Sequence, residues 1–370
     1  MPSLSQLFLK AYVKFSGING RLRLDAKRKR EFLQLRREHY RSIRQHATAN
    51  TAYLQQSRRF LMRNFCGYRD TSWHLCFTWV NSRLDENYIP EDLFYDIIEP
   101  LLNPRQLATA YVDKNAYQKF LEGTPMPRTA FRIVRGRLLD ADYRPTSLET
   151  LQKTLDPAAP LFLKPSINSG GGHGIFIDTA DNILTLARAR LAEARQPMNL
   201  NYICQHRLPQ SPEVARLHAS SLNTIRVMTF RSQAGIVVLS TVLRMGRQNQ
   251  LFDNVASGGI SCGIDASTGC LKPYAYDKHY HRFAEHPDTG VRFDGFKLPA
   301  YQDVLDLCTR LHGRLLMFDL VSWDMAVDGE NKPCMIEFNL GQQGINFLQI
   351  HNGPLFGECT AEMIERLRLP

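Results

Sequence analysis

No two of the eight cysteines, at positions 66, 76, 204, 262, 270, 308, 334 and 359, form a C-x-x-C pair. That excludes a zinc ribbon or a dithiol redox motif and points to the reduced thiols of a cytoplasmic protein. No apolar run reaches membrane-spanning length, because Lys or Arg interrupts every stretch that begins to qualify. Lys10 and Lys14 fall inside the apolar N-terminal patches and no small-residue cleavage site follows, so a secretory signal is not expected. The G-x-x-x-x-G-K-[ST] order of a P-loop is missing. So is any interleaved basic and aromatic stripe, and nucleic acid is not expected as a partner. What is present is an ordinary soluble composition, 44% hydrophobic and 22% charged, in 370 residues. That length buries a sizeable core and divides into two or three domains.

The net charge of +10 is unevenly placed. Residues 1–70 hold 16 Lys and Arg against 4 Asp and Glu, whereas the rest of the chain is close to neutral. Apolar residues at Leu4, Leu7, Phe8, Ala11, Tyr12 and Phe15 recur at three- and four-residue spacing, which reads as helix. The segment is either a solvated helical face or an adhesion surface for the cytoplasmic leaflet or an acidic glycan. Beyond it, the aromatic-rich runs Trp73 to Val80 and Phe94 to Ile98 suggest a small domain. From Tyr111 the texture changes to short strands and helices in alternation. Asp113 is placed to cap a helix over Asn115 to Leu121, and strands are expected at Ala130 to Val134 and Leu161 to Leu163. The division expected is a basic helical region 1–65, a small domain 66–110, a lid and central part 111–205, and a C-terminal part 206–370.

Polar residues stand out in one hairpin. The arm Ser322-Trp323-Asp324-Met325-Ala326-Val327 turns at Asp328-Gly329 and returns as Cys334-Met335-Ile336-Glu337-Phe338-Asn339. Asp-Gly between alternating apolar arms is a strong hairpin signal. Glu337 and Asn339, two apart, share one strand face, and Asp324 lies on the facing arm. The cluster is either a solvated hairpin face or an all-oxygen site for Mg²⁺, which takes hard ligands and shares its shell with substrate phosphates.

A second chemical motif is Lys164-Pro165-Ser166-Ile167-Asn168-Ser169-Gly170-Gly171-Gly172-His173-Gly174, between two apolar strands. Successive glycine amides can approach a polyanion closely, and the lysine adds a point charge suited to phosphate. The loop joins strand to strand, which excludes a Rossmann fingerprint. In isolation the alternative is a flexible turn.

Together these pieces resemble the ATP-grasp superfamily, most closely its sugar-transfer-associated branch, over about Val112 to Gly357. Asp113-Lys114, Lys164-Pro165 with the glycine loop, Asn223-Thr224-Ile225-Arg226-Val227 and the Asp324…Glu337-x-Asn339 hairpin carry the likeness. Asp253-Asn254 with Gly258-Gly259, His286-Pro287-Asp288-Thr289-Gly290 and Asn352-Gly353-Pro354-Leu355 add to it. The resemblance implies an α/β (α+β) ATP-grasp fold with a glycine-rich lid subdomain, preceded here by a helical basic extension. It implies ATP and Mg²⁺ as cofactors, with Lys114 and Lys164 on the nucleotide and Ser169, Gly170, Gly171, Gly172 and His173 in the lid. Asp324, Glu337 and Asn339 would be the metal ligands, Gln205 would stand on the hinge strand Tyr202 to His206, and Glu213 would meet the ribose. Arg226, with Asn223 beside it, would bind the substrate carboxylate or stabilise an oxyanion.

Two positions depart from the pattern. Relatives commonly carry Glu where this chain has Gln205-His206, and Arg where it has Ser322. The activity implied is carboxylate–amine ligation through an acyl phosphate, joining an amine or amino acid to a uronic-acid-type sugar or lipid-linked saccharide in surface polysaccharide biosynthesis. A sugar kinase on the same fold and a non-catalytic nucleotide-binding adaptor are the alternatives.

Overall fold

The computed structural model describes residues 40–167, 174–193, 200–248, 250 and 253–368. The first 39 residues of the basic segment, and Asn168 to His173 of the glycine loop, lie outside them.

Two antiparallel sheets organise the chain. The first has the order β2-β1-β5-β3-β4, from β1 (Thr129–Val134), β2 (Arg137–Asp140), β3 (Pro160–Pro165), β4 (Phe176–Thr179) and β5 (Tyr202–His206). Alternation divides its two faces. Phe131, Ile133, Leu161, Leu163 and Cys204 enter one apolar cluster with Leu151 of the helix Leu148–Thr154 and Ile183, Leu184 and Ala187 of the helix Ala180–Glu193. Arg132, Lys164, Ile203 and Gln205 therefore face the other way, as the two-residue side-chain period requires. β3 and β4 form a hairpin, with Leu163 opposite Phe176, so the glycine segment connects two paired strands as expected.

The second sheet has the order β10-β9-β8-β7-β6-β11-β12. Its strands are β6 (Thr224–Ser232), β7 (Gly235–Met245), β8 (Ile260–Ile264), β9 (Leu271–Tyr276), β10 (Arg282–Phe283), β11 (Leu320–Val327) and β12 (Pro333–Asn339). One face packs on the helix Tyr301–His312, whose Val304, Leu307, Cys308 and Leu311 join Ile225, Val227, Leu243 and Trp323 in the largest core. On the other face Met228, Phe230, Val242 and Leu320 pack against Leu61, Phe65 and Ile98 from the N-terminal helices and Leu348 and Met363 from the C-terminal ones. The helix Thr51–Asn64, at the end of the basic region, thus supplies Leu61 to the core of this sheet. Among the described residues no helix is long and apolar enough to cross a membrane.

The short helical segment after Asp113 forms where capping predicts it. The Asp113 carboxylate accepts from the Asn115 amide at 2.9 Å, and the segment closes at Phe120. Its first residue is Lys114, which this cap aims between the sheets.

Candidate functional site

A cleft lies between the face of the five-stranded sheet opposite its two helices and the edge of the seven-stranded one. Lys114, Lys164, Gln205, Met126, Tyr117 and Ile336 line it. Ile336 is there because of a bulge. Asp324 pairs with Glu337 but Met325 pairs with Met335, so Ile336 is an extra residue on the edge strand. Tyr117 stacks on Phe338 with ring centroids 4.5 Å apart, which seats the Lys114 segment against β12.

The three hairpin oxygens come together as their spacing requires. Asp324 stands directly opposite Glu337, and Ser322 opposite Asn339, so all share a face with Arg226, which pairs with Asp324 from β6. Positive charge between the carboxylates comes from the protein itself. Arg226 Nε and Nη2 each donate to one Asp324 oxygen at 2.9 Å. Arg244 Nη2, from β7, lies 3.3 Å from the same carboxylate and 3.2 Å from Asp253. Thr224 donates its hydroxyl to Asp253 and accepts from Arg244 Nη2 at 2.9 Å. Glu337 is matched by Lys114 Nζ at 3.0 Å, an ion pair that spans the cleft.

Titration follows from this wiring. Burial alone would raise the Asp324 carboxyl, yet Arg226 and Arg244 hold it well below the usual carboxylate range. At Asp253 burial prevails over Arg244, and its carboxyl is raised. Lys164 differs: burial, then the neighbouring Lys114 ammonium, draws it down to about 8, with Glu337 opposing. Among the described residues no carboxylate stands within ion-pair distance of Lys164.

The donor set is of the oxygen type a hard divalent cation takes, with Arg226 and Lys114 already engaging its two carboxylates. Asp324 and Glu337 offer carboxylate oxygens from directly opposed residues. The buried Nδ2 of Asn339 has no hydrogen-bond partner, so no donor bond pins the orientation of that amide.

Other expected residues fall in different places. Gln205 lines the cleft and donates from Nε2 to the Pro127 carbonyl at 3.2 Å. Asn223 is turned into the loop below: its Nδ2 donates to Gln210 Oε1 at 3.1 Å, Val214 O at 3.1 Å and His218 O at 2.8 Å. Glu213 is exposed at the start of the helix Pro212–Ala215, accepts from Ser211 Oγ at 2.8 Å and is not among the cleft-lining residues. Ser169, Gly170, Gly171, Gly172 and His173 lie outside the described residues. Ser322 is fully buried with an unpartnered hydroxyl. The guanidinium that relatives are expected to place there reaches Asp324 here from Arg226 and Arg244 instead.

Sequence reasoning missed Arg244. Its one local signal is an arginine inside the otherwise apolar run of β7, and only its register opposite Thr224 shows where it points. The HPDTG stretch also acquires a place: His286 Nε2 lies 2.9 Å from the Gly246 carbonyl and Asp288 accepts from the Gln248 amide at 2.6 Å, bracing the segment after Arg244.

Comparison with known proteins bears on this geometry. No curated protein matches the chain. Among solved structures, the ATP-grasp ligase PsnB in complex with a minimal precursor is 14% identical, with a TM-score of 0.40 over 70% of this chain and 62% of PsnB. D-alanine–D-alanine ligase from Bacillus anthracis is 15% identical, with a TM-score of 0.39 over 71% and 70% of the two chains. Biotin carboxylase from Campylobacter jejuni is 12% identical, with a TM-score of 0.41 over 70% and 47%. The chain therefore spans about three fifths of PsnB's length. The family of sugar-transfer associated ATP-grasp proteins matches residues 96–363. That match takes in both sheets, the cleft between them and every cation and carboxylate described above, and the chain belongs to the sugar-transfer associated ATP-grasp family.

Proposed function

We propose that the protein is an ATP- and Mg²⁺-dependent carboxylate–amine ligase, using the cleft between its two sheets. The observation that carries the reading is the Lys114–Glu337 pair at 3.0 Å, which joins a cation of the nucleotide side to a carboxylate of the metal side. Asp324, Glu337 and Asn339 would hold Mg²⁺, which when bound supplies positive charge to the nucleotide phosphates. Lys114 and Lys164 receive the phosphates, and Gln205 with the backbone around it meets the adenine. The glycine segment with Ser169 and His173, outside the described residues, would serve the β- and γ-phosphates. Arg226, whose Nη1 is not used by Asp324, would bind the substrate carboxylate or stabilise an oxyanion.

In the reaction proposed, a carboxylate oxygen attacks the γ-phosphorus and ADP leaves with the bridging oxygen. An amine then attacks the acyl carbon, loses a proton and expels inorganic phosphate. The acceptor we propose is a uronic-acid-type sugar or lipid-linked saccharide of surface polysaccharide assembly, with an amino acid or simple amine as cosubstrate. The enzyme would work in the cytoplasm, with the basic N-terminal residues 1–60 bringing it to an anionic membrane or acidic glycan. A screen of ADP release over uronic acids crossed with amino acids tests this, with Glu337→Gln as control. Turnover that requires both partners is expected. ADP release with the sugar alone would replace ligation by phosphotransfer, and full activity in Glu337→Gln would remove the metal assignment.

A further inference from the structure

The described residues include an exposed apolar turn that the cleft does not use. Leu316 and Met317, in the turn between the helix Tyr301–His312 and β11, are 74% and 57% exposed, more than any other large apolar residue described. They are not isolated. Phe318, the next residue, meets Tyr111 edge-on at 5.2 Å, and Tyr111 meets Phe120 at 4.7 Å. Leu107 lies one helical turn before Tyr111 on the same helix face. Phe120 and Leu107 are themselves 37% and 38% exposed. Single exposed apolar residues are ordinary, but two adjacent ones at a turn, with two more on the elements packed beside it, are less so.

Cations outnumber acids around the group, Glu122 being an exposed acid two residues after Phe120. Arg310 and Arg314 flank the turn, and Arg314 Nη1 donates to the Glu122 carbonyl at 2.7 Å, which ties the turn to the segment bearing Phe120. Arg105 and Lys119 are exposed on the neighbouring elements. From Arg310 to Phe318 there is no acid, and Asp319, the first one after it, is paired with Arg366 at 3.0 Å. Apolar tips flanked by long cationic side chains match the boundary between anionic headgroups and acyl chains, where the apolar part enters and the cations stay at phosphate level.

We infer that Leu316 and Met317 form a membrane-contact tip that seats the folded domain on an anionic bilayer, separately from the basic N-terminal segment. The inference does not depend on the reaction assigned to the cleft. It is tested with the full chain and vesicles of mixed phosphatidylserine and phosphatidylcholine, comparing wild type with Leu316→Ser/Met317→Ser in a flotation assay. Circular dichroism and thermal melting confirm that the variant is folded. The expected result is at least about a tenfold lower partition coefficient for the variant, as fits the loss of two inserted apolar side chains. The difference should persist at raised salt, which screens the N-terminal charges but not apolar insertion. Equal flotation of the two proteins, or no flotation of wild type, overturns the inference. So does wild-type self-association in sedimentation that the double variant abolishes without any change in flotation, because the tip would then be a contact between copies.

Discussion

The two sides of the cleft hold their charges in opposite ways. On the seven-stranded sheet Asp324 is 2% exposed and both its oxygens are taken by guanidiniums. On the five-stranded sheet Lys164 projects toward the cleft beside another lysine, with no described carboxylate in ion-pair range. One side is a closed network that exists before any ligand arrives. The other is a cation whose charge is costly until an anion neutralises it. The contrast is between a charge-balanced network of Asp324, Asp253, Arg226 and Arg244 and a cation left unmatched to receive an anion.

The largest effect should come from breaking the closed side. Asp324→Asn removes the counter-charge of Arg226 and one of the two beside Arg244, and is expected to cost about 3 kcal/mol in denaturant unfolding, as for one partner of a buried ion pair. Glu337→Gln faces one lysine at a side chain about a quarter exposed and should cost under about 1 kcal/mol. Both should lower ATP turnover by at least about 100-fold if they share a metal. Equal stability losses would show that the two carboxylates are not held differently. Next in size is Lys164→Met. It should weaken ADP binding by roughly tenfold or more, yet raise the melting temperature of the free protein by about 2 °C, because a poorly solvated ammonium is removed. A variant that loses both stability and binding would place Lys164 among structural residues.

How much of this was legible in the sequence depends on the range of the interaction. The Asp324, Glu337 and Asn339 face follows from a two-residue period and one Asp-Gly turn, both local, and the strands bear it out. Lys114 follows from the Asp113 cap beside it. What escaped is set by pairing between distant strands. Arg244 joins the network only because β6 and β7 pair with Thr224 opposite Arg244, in a ladder with a register shift at Met228/Thr229 that no local pattern announces. Asn223 was expected to work beside Arg226, but an odd spacing of three turns the two to opposite faces, and its buried amide clamps the 210–218 loop instead. The Ile336 bulge was equally unreadable, because a one-residue shift against β11 leaves no mark in the alternation of β12.

The receptive side also predicts a pH dependence. Lys164 titrates at about 8 in the fold and near 10.5 when unfolded. Between those values the unfolded chain binds the extra proton, so its contribution to stability rises with pH across that window, and its full cost is present below about 8. Phosphate binding runs the other way, strongest below that pH where the ammonium is charged. ADP titrations should therefore show affinity falling as pH rises through about 8, and Lys164→Arg should flatten the profile. An unchanged profile in that variant would assign the dependence elsewhere.

The smallest effect is expected at Glu213, and it bears on how far the nucleotide site reaches. Its carboxyl is held below its usual range chiefly by the Ser211 hydroxyl, with Asn331 of the hairpin turn also contributing. Asn331 is six residues before Glu337, roughly 20 Å along an extended strand. The cleft residue Ile336 stands midway along the returning arm of that hairpin, with Met126 and Gln205 beside it in the lining. If the ribose sits among them, Glu213→Ala should change the KM for ATP by less than about twofold, because the side chain serves the helix start and the turn rather than the nucleotide. A tenfold rise in KM with unchanged kcat would instead carry the ribose out to the Pro212–Ala215 helix. The receptive side of the cleft would then extend past Gln205 along the whole hinge.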